Sequence, residues 1–171
     1  MASLGHVAVG IAAARAHAGG LDVARPSLSA YVAFAALALL PDADVLAFGI
    51  HVPYAAKWGH RGAAHSLAIA AVVVVGLVVL VLRSPRTGFY AAAVVASHGL
   101  LDALTDGGLG VALLWPASHA RYFAPWRPIP VAPIGARMLS ARGLHVVLVE
   151  ALASRPLTLY ALSPSRTKRA G

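Results

Sequence analysis

Residues 62–82 read GAAHSLAIAAVVVVGLVVLVL, the longest apolar run in the chain. The run carries no formal charge. At about 1.5 Å rise per residue, its roughly 20 residues match a hydrocarbon layer of roughly 30 Å. Its many valines would weaken a helix in water. In lipid the helix is enforced, because every backbone polar group must find its partner inside the segment. The stretch therefore reads as a membrane-spanning helix, and the rest of the chain is read outward from it.

Weaker runs flank it. Residues 4–18 are Ala-rich, with Arg15 and His17 near the far end, and residues 28–40 (LSAYVAFAALALL) are apolar but short, stopping at Pro41. Residues 88–104 (GFYAAAVVASHGLLDAL) make a second good span, whereas 109–115 is too short to cross. A last apolar helix is expected over about 143–162, where Arg155-Pro156 kinks or ends it. Residues 116–142 are rich in Pro and Arg and read as an interfacial segment, and 163–171 form a basic tail. The expected fold is all-α: one integral membrane domain over 1–171, a polytopic bundle of about four to five hydrophobic helices.

Composition agrees. The chain is 59% hydrophobic and 12% charged, about half the charged share of a typical soluble domain. That leaves too little polar material to hydrate a globule. Lys and Arg outnumber Asp and Glu by 14 to 6, a balance that would suggest nucleic acid in a soluble protein. Here the basic residues lie between apolar runs and in the tail, which fits lipid headgroups, and no nucleic-acid partner is expected. With no Cys, disulfides and thiolate ligands are excluded. The N-terminus lacks the positive region of a secretory signal and reads as mature protein.

Alternating spans make a further expectation. If 28–40, 62–82 and 88–104 cross in succession, then Pro41-Asp42-Ala-Asp44, His60-Arg61-Gly62-Ala-Ala-His65-Ser66 and the His98–Asp106 region fall on one membrane face. His6, opening a preceding span, starts there too. Arg25, the turn at 83–86 and the tail fall on the other face. Arg121, Arg127, Arg137 and Arg142 lie on the motifs' own side, so charge does not fix the orientation.

His98 and Asp102 stand four apart on one helical face, as two ligands of one metal require; a hydrogen-bonded pair joining helices satisfies the same spacing. Ionisable groups at membrane depth mark functional sites by default. Asp42 and Asp44 repel and want a cation between or beside them, although an acidic helix end at the water interface explains them equally well. Asp and His donors together suit zinc, with manganese as the alternative. Five residues apart, His60 and His65 fit a loop residue followed by a first helical turn, with Ser66 as a cap. Arg61 has the forked donors that match phosphate or carboxylate oxygens, and Arg121 is either a second anion contact or an interface anchor beside Tyr122 and Trp126. Lys57 reads as a residue reaching to headgroups. His17, His51, His119 and His145 lack carboxylate company and read as structural.

Taken in order, Pro41-Asp42-x-Asp44, His60-Arg61-Gly62-x-x-His65-Ser66, His98-x-x-x-Asp102-x-x-Thr105 with Gly108, and Pro116 followed by Arg121 resemble the YdjM-like family. Its members are bacterial and archaeal inner-membrane proteins described as metal-dependent hydrolases, one of them as LexA-binding. The resemblance runs from about His6 to Phe123. That family is in turn distantly similar to the zinc-dependent phospholipase C and P1 nuclease group. This likeness implies His98 and Asp102 as the paired ligands, completed by His6, Asp42 or Asp44, His60 and His65, and it implies phosphoester chemistry. The expected activity is hydrolysis of an anionic, lipid-associated substrate by metal-activated water. Asp44 or Asp106 would serve as general base, and Arg61 and Arg121 would hold the anion. A serine hydrolase built on Ser66 lacks a Gly-x-Ser-x-Gly elbow. A non-catalytic metal-binding scaffold or a small transporter are the other readings, the latter weakened because residues 67–82 carry no polar residue through the bilayer depth.

Overall fold

The computed structural model describes residues 3–74, 76, 80 and 83–166. Among these the fold is all-helical, with two isolated bridges, Thr105 to Ile129 and Val111 to Tyr122, and no strand. Helix α1 is Leu4–Ala18, α2 is Leu28–Leu39, α3 begins at Leu67–Ile69 and widens into a π-helical turn over Ala70–Val74, α4 is Pro85–Ala103 and α5 is Ala141–Leu162. Four of these helices start on a serine whose hydroxyl accepts a backbone N–H: Ser27 from Ala30, Ser66 from Ile69, Ser84 from Thr87 and Ser140 from Gly143. Each cap satisfies a donor that the first helical turn would leave orphaned.

Two elements run on where the sequence suggests a stop. After α2 the chain tightens into a 3₁₀ spiral over Leu40–Ile50, because Pro41 sits in its first turn, where a missing N–H removes no intrahelical bond. Helix α5 likewise continues through Pro156. Leu28–Ile50 is long and apolar enough to cross a membrane, and only 17% of its apolar window is buried inside the protein. The span expected at 62–82 is not one regular helix in its described part: Ala63–His65 form a 3₁₀ turn and the helix starts at Leu67, while residues 75, 77–79, 81 and 82 lie outside the described residues.

Helix α1 is the hub, packing against α2, α4 and α5. Its Gly10 lets α1 and α2 approach closely, since a Cβ there would stand 2.6 Å from the Phe34 carbonyl oxygen, the small-residue packing that helices use in lipid. The polarity is inverted relative to a soluble protein. Leu28, Leu46, Ile50, Val72, Leu80, Phe89 and Leu152 are exposed, while His6, Arg15, Arg61, His65, His98, Asp102 and Glu150 are buried. An apolar exterior around a charged interior is what lipid as solvent selects.

Candidate metal centre

Four segments deliver side chains to one end of the bundle. The first turn of α1 carries His6, and the 3₁₀ spiral carries Asp42 and Asp44. The loop ahead of α3 carries His60, Arg61 and His65, and the last turns of α4 carry His98 and Asp102, followed by Thr105. Gly99 permits the approach, because a Cβ there would lie 2.4 Å from the His65 carbonyl oxygen. Any larger residue would push α4 away from the loop.

The distances separate two kinds of contact. Facing inward, His98 Nε2 lies 3.3 Å from Asp42 Oδ1 and 3.9 Å from Asp102 Oδ2, while His65 Nε2 lies 3.6 Å and 3.5 Å from the same two oxygens. Charge-assisted N–H···O bonds close to about 2.7–2.9 Å, so these pairs are too far apart. Ligands at about 2.0–2.1 Å from a tetrahedral zinc stand about 3.3–3.4 Å from one another; three of these pairs, at 3.3–3.6 Å, lie near that edge and the fourth, at 3.9 Å, is longer. All of them lie within 4.8 Å of each other.

Facing outward, the contacts are short. His98 Nδ1–H donates to the Ala38 carbonyl at 2.6 Å, with Nε2 on the side of Asp42. His65 Nδ1 lies 3.1 Å from Asp44 Oδ2. The His98 ring is thus held from behind by a hydrogen bond, the arrangement that orients metal-ligating imidazoles, while Asp44 stands behind His65 at ion-pair distance without a hydrogen bond to its Nδ1. The buried Nε2 atoms of His6, His65 and His98 have no hydrogen-bond partner. Buried polar atoms are rarely left so, and a cation among them would satisfy the set.

His6 approaches from the far side, its ring stacked on His98 at 3.6 Å and its Nε2 3.6 Å from Asp102 Oδ1. Asp44, His60 and His65 form a second grouping within ligand range. Its closest pair, His60 Nδ1 to Asp44 Oδ1 at 2.8 Å, is a hydrogen bond rather than a ligand edge. Asp44 also accepts from the Arg61 backbone N–H at 3.2 Å. Asp42, His65, His98 and Asp102 are thus the group that could hold a metal ion, with Asp44 and His60 beside it.

His65 lies before α3 begins at Leu67. Burial pushes its imidazole down, but the carboxylates of Asp102, Asp42 and Asp44 together outweigh that and raise it to about 10. Three negative charges around one imidazolium are the electrostatic signature of a cation site.

Arg61 is buried and forks onto Asp102, with Nε 3.1 Å from Oδ2 and Nη2 3.3 Å from Oδ1, while Nη1 donates to Thr105 Oγ1 and the Gly107 carbonyl. Arg121 donates to the carbonyls of His60, Tyr54 and Ala56, which fastens the loop carrying His60. Asp106 is exposed and accepts from the Val131 N–H at 2.7 Å, apart from the cluster. His17 sits against Thr87, Phe34 and Tyr90. A cavity of about 460 Å³ opens over the cluster, lined among others by Asp42, Tyr54, His60, Arg61 and Val131–Gly135. Buried Glu150, which accepts from the Gly5 N–H, escaped the sequence reading. A lone acid in an apolar helix was the signal available for it.

The chain matches the family model described as YdjM inner membrane protein over residues 1–164. It belongs to that family. It is 44% identical over 120 residues to the inner membrane protein YbcI of Escherichia coli (strain K12), a match covering 67% of this chain and 69% of that protein. No solved structure matches the chain, so no comparison supports the distant similarity to the phospholipase C and P1 nuclease group. The match to the YdjM family establishes a membrane protein family, and the cluster just described lies entirely within the matched residues.

Proposed function

We propose that this protein is a multi-pass inner-membrane hydrolase whose divalent cation, zinc or else manganese, is held by Asp42, His65, His98 and Asp102. The observation that carries this reading is the spacing of the inward-facing atoms, too long for hydrogen bonds and matched to ligand edges, with the rings of His65 and His98 backed by Asp44 and Ala38. The apolar exteriors of α2, α4 and α5 support more than one crossing.

When bound, such a cation lowers the pKa of a coordinated water toward about 7 and supplies hydroxide. The chain's own residues do the rest. Asp42, whose side chain is 25% exposed, places the open side of the cluster against the cavity. His60, tied through Nδ1 to Asp44, lines the same cavity and is the group positioned to accept a proton. Arg61 balances the charge of Asp102 and stands at the cavity wall. The substrate is an anionic phosphoester associated with the lipid surface. A non-catalytic metal scaffold is the second reading, favoured by the burial of His65, His98 and Asp102, because structural sites are closed and catalytic ones keep an open position.

Hydrolysis of a chromogenic phosphodiester by detergent-purified protein tests the choice. The expected result is activity abolished by chelation, restored by zinc or manganese, and absent from His98→Ala. Metal-loaded protein that hydrolyses no phosphoester would leave the scaffold.

A further inference from the structure

The two arginines that the sequence offers as anion holders are both engaged within the protein. Arg61 is occupied by Asp102, Thr105 and Gly107, and Arg121 by three backbone carbonyls. A cluster rich in carboxylates repels an anion unless cations stand nearby, so recognition needs other donors.

A second cavity, of about 630 Å³, adjoins the first and shares Pro133 and Ile134 with it. Arg137 and Arg142 line it. Both side chains are exposed, and neither makes an ion pair or side-chain hydrogen bond among the described residues. Ser140 between them is engaged, accepting from Gly143 and donating to the Arg137 carbonyl. Around the pair, Ile134, Leu139 and Leu144 expose their side chains, Leu139 to 93%. Guanidinium groups set among exposed apolar side chains are the composition of a segment at the bilayer surface, where phosphates lie.

We propose that Arg137 and Arg142 form the substrate-anion subsite, holding a phosphate group at the cavity that opens past Pro133 and Ile134 onto the metal cluster. The inference rests on the hydrolase reading for its purpose, but the phosphate affinity stands by itself. Two forked donors on one anion give the charge-assisted bonds that fix a phosphoester's orientation.

The test titrates inorganic phosphate, and separately dihexanoyl phosphatidylglycerol, into detergent-purified full-length protein, with metal content measured on each sample. R137Q/R142Q is expected to keep the wild-type metal content and to bind phosphate about tenfold or more weakly, as loss of charge-assisted bonds predicts. R137K/R142K should recover part of the affinity. Tighter binding of the lipid phosphodiester assigns the subsite to a headgroup, and tighter binding of inorganic phosphate assigns it to a soluble ester. Unchanged phosphate affinity in R137Q/R142Q, or no binding of either probe by wild type, overturns the proposal. Arginine-dependent phosphate binding in protein that takes up no metal would keep the subsite and remove the hydrolase reading.

Discussion

Helix α1 carries a buried ionisable residue toward each end, and the two are treated in opposite ways. His6 meets two side chains of α4, stacking on His98 and facing Asp102. Arg15, nine residues on, is fully buried, and none of its guanidinium nitrogens has a hydrogen-bond partner among the described residues. At the first end, charges of both signs converge and the orphaned atoms include ring nitrogens facing carboxylates. At the second, the orphans are donors with no hydrogen-bond partner among the described residues. The difference teaches that burial of charge alone does not mark a site in this fold; convergence does.

The largest expected effect breaks the convergent end. Asp102 faces Arg61, His6, His65 and His98, so Asp102→Ala should lose bound metal and lower stability by about 3–5 kcal/mol, the penalty for stranding a buried charge. Metal content and the unfolding midpoint read both losses. Next comes the packing that allows convergence. Gly99→Ala should cost about 1–3 kcal/mol by overpacking against the His65 carbonyl, whereas Gly49→Ala, whose Cβ would meet nothing within 4 Å, serves as the neutral control.

Arg15→Met probes the other end. It should leave stability unchanged or raise it by about 1 kcal/mol, since removing a buried charge without a partner relieves desolvation; a marked loss in the same unfolding assay would reveal a partner for the guanidinium. A further test is in pH. His65 is raised from its ordinary 6.5 to about 10, so in chelator-treated protein its stabilising contribution is present in full below about pH 6.5 and declines as pH rises through about 10. Because a ligand imidazole must be neutral, zinc binding at pH 7 should release about one proton. Calorimetry in buffers of different ionisation enthalpy measures it, and zero release would contradict the protonation assigned to His65.

The convergence itself was legible in the sequence. Runs expected to alternate direction would bring Asp42, His60, His65 and His98 together, and the four-residue step from His98 to Asp102 adds the second carboxylate; the structure groups Asp42, His65, His98 and Asp102. What each residue does there was not legible. Whether Arg61 faces substrate or Asp102, and whether Asp44 ligates or supports His65, depends on ångström-scale approach across segments, which no spacing rule encodes. The Ala38 carbonyl behind His98 carries no side-chain signal at all. Past Pro41 the apolar pattern gave no means of telling a tightened spiral from a loop, since a proline in the first turn is tolerated by one and welcome in the other.

Metal analysis of detergent-purified wild-type protein beside His98→Ala and Asp44→Asn addresses the centre directly. Stoichiometric zinc or manganese is expected in wild type, none in His98→Ala, and an affinity weakened about 10- to 100-fold in Asp44→Asn, as befits a residue that orients a ligand. Folded wild-type protein that neither carries nor takes up a divalent ion would contradict the reading of this cluster as a metal centre.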